Sequence, residues 1–184
     1  AQGELDRAEQ LFQRSREAYQ SLVAPEDTRL ASVLYNLAGV YVEQGKYAQA
    51  EELYRRSLEI REKALGAGDP LVAEVWNNLG FLFLQQGRHK DAEIWLEKAL
   101  AVWEKSAGSG AAYAAVALNN LALLRRLQRD FDRAESLYRR AVAVEEKLFG
   151  QDHPEVAATR MSLAALYRAW GRTQRAVETY QHAL

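Results

Sequence analysis

Apolar residues recur along this chain at the three- and four-residue steps of a helix, and nothing in it reads as a strand. Leu71, Val72, Val75, Trp76, Leu79, Leu82 and Phe83 trace one such stripe. It opens at Asp69-Pro70, an N-cap followed by proline in the first turn. It closes at Gly87, where a left-handed residue can end the helix. His153-Pro154 echoes the opening signal, and Gly45 and Gly171 echo the closing one. A second, longer stripe follows directly. Leu137, Tyr138, Ala141, Val142, Glu145 and Leu148 carry it toward Gly150, and Gly66 and Gly108 recur as terminators at the matching places. The pattern predicts pairs of helices, the second longer than the first.

The pairs repeat. Ala31, Ala73, Ala115 and Ala157 fall 42 residues apart, as do Leu37, Leu79, Leu121 and Leu163. Ala8, Ala50, Ala92, Ala134 and Ala176 form another column, followed by Glu9, Glu51, Glu93 and Glu135. A fixed period of this size marks an array whose units bury their apolar faces against their neighbours. The expected division is a second helix and loop at 1–26, complete repeats at 27–68, 69–110 and 111–152, and a repeat at 153–184 whose second helix is cut short. Both ends fall within a repeat, so a longer natural protein is expected. Small residues stand where two helices must approach: Ala38, Gly80, Ala122 and Ala164 on the first, facing Ala50, Ala92, Ala134 and Ala176 on the second. Tyr41, Phe83 and Tyr167, with Phe12, Tyr54, Tyr138 and Tyr180, are expected to fill the remaining space.

This small-plus-aromatic arrangement resembles the tetratricopeptide repeat, usually about 34 residues long and here eight longer, or about two extra helical turns. Leu148-Phe149-Gly150-Gln151-Asp152-His153-Pro154-Glu155-Val156-Ala157 is similar to the inter-repeat signature of the kinesin light chain type. So are Asn77-Asn78-Leu79-Gly80, Asn119-Asn120-Leu121-Ala122 and Gln44-Gly45-Lys46-Tyr47 with Ala50-Glu51. The resemblance covers nearly the whole chain and implies an all-α, right-handed superhelical solenoid of helix-turn-helix repeats. It is a resemblance of architecture, since the heptad region that pairs the motor adaptor with its motor has no counterpart in the sequence. Three places depart from the pattern: Ala112 replaces a loop proline, Gln128-Arg129-Asp130 replaces the glycine turn, and Arg160-Met161-Ser162 loses the paired asparagines.

Composition narrows the function classes. A net charge of -1 gives no global attraction to nucleic acid or to an anionic membrane, so neither is an expected partner. Cysteine is absent, which removes disulfides and thiolate metal sites and fits a reducing compartment; a cytoplasmic location is the expectation. No run of residues reaches the roughly 18 apolar positions of a membrane span. His89, His153 and His182 lie in different contexts, and His153 reads as a cap rather than a ligand. Glu51, Glu52 and Glu135 precede Arg55, Arg56 and Arg139 by four residues, a spacing that reads as a solvated outer face. No nucleophile elbow, phosphate loop or zinc spacing occurs, and Gly108-Ser109-Gly110 lacks a phosphate loop's lysine. Neither an enzyme nor a cofactor is expected.

Asparagine is the informative residue. Asn36, Asn78 and Asn120 share one column, and Asn77 and Asn119 share the column before it. Its amide competes for backbone hydrogen bonds and is unfavourable inside a helix. The sequence leaves two reasons open: the amide ties neighbouring helices, or it meets the backbone of an extended peptide. The resemblance implies that the first helices line the concave face. Ser32, Tyr35, Gly39 and Glu43 would then form a groove with Glu74, Asn77, Phe81 and Gln85. Val116, Asn119, Leu123 and Arg126 would continue it, and Ala158, Met161, Ala165 and Arg168 would end it. Phe81, Leu123 and Met161 suit an apolar anchor, and Arg126 and Arg168 suit a nearby acidic residue or, equally, the helix dipole.

Kinesin light chain repeats bind cargo peptides with a tryptophan among acidic residues, so the resemblance implies a similar ligand. The chaperone-tail clamp of other tetratricopeptide proteins uses cations where Tyr35, Asn77 and Asn119 stand, so that specificity is not expected. The leading expectation is a protein-interaction scaffold that binds a peptide segment. Two alternatives stand beside it. One is an assembly array that contacts partners, or itself, through its ends or convex face; the other is a regulatory region of a larger enzyme or signalling protein.

Overall fold

The computed structural model describes residues 2–24, 26–106 and 110–183. Among them are nine helices and no strand: α1 (Gln2–Leu22), α2 (Thr28–Glu43), α3 (Tyr47–Leu65), α4 (Pro70–Gln85), α5 (His89–Lys105), α6 (Gly110–Leu127), α7 (Phe131–Phe149), α8 (Pro154–Ala169) and α9 (Thr173–Gln181). The fold class is all-α, of the helical-repeat kind that the spacing predicts. Two compact units divide it, residues 1–95 and 96–184.

In the first unit each helix packs on the next, α1 on α2, α2 on α3 and α3 on α4. Asp27 and Asp69 cap α2 and α4, their side chains accepting the N–H of Arg29 and Leu71 at 2.8 Å. Gly45 ends α2 at φ 72°, with its N–H on Val42 O at 3.0 Å and the Lys46 N–H on Tyr41 O at 2.8 Å. These are the two bonds of a Schellman close, which settle carbonyls that the helix cannot. Ala38, Ala50 and Gly80 are buried as the close-approach columns require, with Leu37, Tyr54, Leu79 and Phe83 packed around them. Leu71 is the exception in its stripe, exposed in the first turn of α4.

In the second unit α6 packs on α7, α7 on α8 and α8 on α9. Its core joins Ala122, Ala134, Tyr138, Leu163, Leu166, Tyr167 and Ala176, with Phe131 and Trp170 stacked at 5.6 Å on its edge. His153 is the N-cap of α8, its Nδ1 accepting the Glu155 N–H at 3.2 Å. Arg129 holds φ 62°, a left-handed arginine where the neighbouring units use glycine, and makes the same pair of closing bonds. Gly108 and Ser109 lie outside the described residues, and Gly110 opens α6. A Cβ on Gly110 would stand 2.7 Å from Trp103 O, which explains glycine there. Leu148, in the last turn of α7, is exposed.

The glutamate column does more than decorate an outer face. Glu51 receives Arg55 at 2.8 Å as its spacing predicts, and also Arg88 of the next helix pair at 2.8 Å. Glu135 likewise receives Arg139 at 2.8 Å and Arg172 at 3.5 Å, and Glu9 receives Lys46 at 2.9 Å. These glutamates are partly sheltered, and each ties one helix pair to the one after it. Arg56 turns to Glu59 at 2.5 Å.

Candidate functional site

The asparagine columns serve differently in the two units. In the first, Asn78 Nδ2 donates to the Tyr35 hydroxyl at 2.7 Å and lies 3.4 Å from that of Tyr54. Asn77 is buried and donates to Asn78 Oδ1 at 3.3 Å. Burial raises both phenols, that of Tyr54 to about 12, so each stays neutral. Arg61 completes the cluster. Its guanidinium sits 4.8 Å from the Tyr35 ring, donates to Leu71 O at 2.6 Å and pairs with Glu74 at 2.9 Å. Asn78 is thus an inter-helix tie between α4 and the α2–α3 pair. Phe81 is half-buried on α4, while Asn36 is exposed on α2.

In the second unit Asn119, Asn120, Leu123 and Arg126 of α6 line one cavity of about 220 Å³, with Tyr138 of α7 and Ser162 and Ala165 of α8. The helical steps from 119 to 126 put all four on one face. Arg126 lies against the Tyr138 hydroxyl; burial raises that phenol and the guanidinium opposes the shift. At the back of the cavity Asn119 Nδ2 donates to Thr159 Oγ1 at 2.8 Å and to Glu145 Oε1 at 3.2 Å. Thr159 Oγ1 donates to the same Oε1 at 3.0 Å. Glu145 is 4% exposed, and burial raises its carboxyl while those two hydrogen bonds lower it. Met161 and Arg168 are exposed on α8 and do not line this cavity.

The site therefore combines amides, an apolar wall and a guanidinium. Such a wall suits a side chain, and the amides suit a peptide backbone. Ser162 takes the asparagine's place in its column and still supplies a polar group to the lining. Thr159 and Glu145, which do not line the cavity but hold Asn119, were not legible as its partners. The available signal was a carboxylate within the apolar stripe of α7, which a buried partner has to explain.

Among the described residues no three His, Cys, Asp or Glu side chains gather as a metal site, and no helix is long and apolar enough to cross a membrane.

Known proteins share the fold that carries these residues. The tetratricopeptide repeat model matches residues 1–63, 29–105, 71–144 and 113–184. No curated protein sequence matches significantly. Among solved structures, BtubC (BKLC) from P. vanneervenii is 30% identical with a TM-score of 0.82, over 99% of this chain and 72% of that one. A kinesin light chain-type protein of Podosopora anserina with nearly identical TPR-like repeats is 22% identical, with a TM-score of 0.78 over 99% and 86%. A Rap protein solved in complex with Competence and Sporulation Factor shares the fold, with a TM-score of 0.85 at 19% identity over 99% and 49%. Repeats of this fold are characteristically interaction scaffolds for protein partners rather than catalysts. With its 42-residue period, its helix pairs and a match along its whole length, the chain belongs to the tetratricopeptide repeat family.

Proposed function

We propose that this chain binds an extended protein segment on the face of α6 and α8, with an apolar side chain against Leu123 and an acidic one at Arg126. The observation that carries the reading is the single cavity joining Asn119, Asn120, Leu123 and Arg126. An amide offers donor and acceptor together, as a peptide backbone does, so Asn120 can meet a segment of either local polarity. A guanidinium forks onto a carboxylate, and its half-buried setting beside Tyr138 shields that contact from solvent. Met161 and Arg168, exposed on α8, would extend the contact beyond the cavity. In the first unit Phe81 and Asn36 remain candidates for contact, while Tyr35, Asn77 and Asn78 are engaged with one another. The reading takes the repeats to divide at 27, 69, 111 and 153.

The test uses a synthetic peptide with one tryptophan flanked by glutamates, titrated calorimetrically into the full chain. Arg126→Glu and Leu123→Ser should each weaken binding about tenfold, and Asn120→Ala several-fold, with helicity unchanged. Equal affinity of the wild type and all three variants would refute the reading.

A further inference from the structure

Two turns earlier along α6 the second unit has another cavity, of about 230 Å³, lined by Ala112, Tyr113, Val116, Glu145, Phe149 and Glu155. Its chemistry is opposite to that of the Arg126 cavity. Two carboxylates and two aromatic rings face it, and no basic side chain lines it.

One carboxylate is unusually placed. Glu145 is only 4% exposed, and its Oε1 already accepts from Asn119 and Thr159. Its other oxygen, Oε2, is buried and accepts from nothing among the described residues. The same holds for Oδ1 of Asn119, its hydrogen-bonded neighbour. Two buried acceptors on adjoining side chains are thus left without a donor. Leaving such atoms unmet is costly, and the cost is greatest for a charged group. Thr159, the nearest hydroxyl, has given its proton to Oε1.

The two rings lie outside the buried core. Tyr113 and Phe149 are 47% and 42% exposed. Each is nevertheless fixed by stacking, Tyr113 on Trp103 at 5.4 Å and Phe149 on His153 at 4.7 Å. Rings presented in this way beside a carboxylate suit a planar cation, which they attract through their faces. Glu155 adds a second negative charge on the exposed start of α8. A guanidinium offers several N–H donors in a fixed fork and is weakly hydrated, so it loses less on entering such a cavity than an ammonium does.

We propose that this cavity receives an arginine side chain of the bound protein segment, whose guanidinium supplies the donor missing at Glu145. The inference rests on α6 being the peptide-binding helix and extends it with a subsite of opposite charge. A partner segment would then carry its acidic residue toward Arg126 and a basic one toward Glu145, which fixes its direction along α6.

The experiment is an NMR titration of the full chain with N-acetyl-arginine amide, read at the Val116 methyls and the Asn119 side-chain amide. N-acetyl-citrulline amide is the neutral isostere, and N-acetyl-lysine amide is the second cation. Saturable shifts should appear with arginine, at least about fivefold weaker with citrulline and about threefold weaker with lysine. Glu145→Gln should abolish them. Should that variant fail to fold, Glu155→Gln and Tyr113→Ala, both at exposed positions, should each weaken binding two- to fivefold. Citrulline or lysine binding as well as arginine would overturn the proposal, and so would undiminished arginine binding in Glu145→Gln or in both exposed variants. The tryptophan–glutamate peptide is titrated in the same samples. If it binds while arginine amide does not, only the basic subsite is lost; if arginine amide binds while the peptide does not, the acidic-peptide reading fails and the subsite stands.

Discussion

Replacing Arg129 with glycine should stabilise the protein, although it removes a charged side chain and adds no contact. Arg129 is the one non-glycine residue with positive φ among the described residues, at 62°, and it occupies the register where Gly45, Gly87 and Gly171 hold 72°, 72° and 78°. An L-residue in this region brings its Cβ against the following carbonyl, at about 1–2 kcal/mol. Glycine relieves that strain but gives the unfolded chain more freedom, worth about 0.4–1 kcal/mol in the opposite direction. The net gain is about 0.5–1 kcal/mol. The closing bonds survive, because Arg129 N–H to Arg126 O and Asp130 N–H to Arg125 O are backbone bonds. For a chain of this size the melting temperature should rise by about 2 °C. Urea unfolding monitored by circular dichroism checks the value, with Gly87→Arg as the mirror experiment, expected to lose a comparable amount. If Arg129→Gly were neutral or destabilising while Gly87→Arg cost stability, the strain argument would be wrong and the arginine side chain would be contributing where it is exposed.

Three further outcomes are expected. Asn78→Ala should lower stability by about 1–2 kcal/mol, since it strips the tie to Tyr35 and Tyr54; unchanged melting would move Asn78 back among ligand contacts. Gly150→Ala should cost about 1–3 kcal/mol in the same denaturation assay, because φ 90° and ψ 160° is a region in which side chains are strained; wild-type stability would show that the turn yields easily. Glu145→Gln should change the pH dependence of stability. The folded carboxyl is raised above its ordinary 4.5, so the folded state holds its proton longer than the unfolded state. Wild-type stability from this group is therefore full below 4.5 and declines as pH rises toward the folded value. Urea melts at about pH 4 and about pH 7 should show the variant gaining on the wild type at the higher pH, and the opposite slope would contradict the burial argument.

The helices and their ends were legible because the signals are local. Asp69-Pro70 and His153-Pro154 declare starts through caps that need only two or three residues, and Gly45, Gly87 and Gly171 declare ends through one backbone angle. The alanine columns revealed close approach because only small side chains allow it. What the period could not show is which partner a polar side chain chooses. Glu51 and Arg55 satisfy a spacing rule, yet Glu51 also reaches Arg88 across helix pairs. Asn78 and Asn120 share a column, yet Asn78 is held by two tyrosines whose positions, 35 and 54, are fixed by other helices. Leu71 kept the helical spacing and still faces solvent, while Val72 and Ala73 in the same first turn of α4 are fully buried.

One variable column on the second helices is occupied by Arg61, Trp103 and Glu145. All three are buried, and each meets the facing first helix with a different chemistry. Arg61 takes Glu74 and the carbonyl of Leu71, which leaves its charge fully met. Trp103 takes the ring of Tyr113. Glu145 takes Thr159 and Asn119, which together satisfy only one of its two oxygens. The same asparagine register thus closes on itself near Arg61 and stays short of donors near Glu145. A scaffold that was stable but bound nothing would gain by replacing Glu145 with glutamine or an apolar residue, since a buried carboxylate with an unmet oxygen costs more than it contributes. The proposed arginine ligand would bring the missing donor, and with it the proposed recognition chemistry falls at the α6–α7–α8 junction, where the repeat departs from its own pattern.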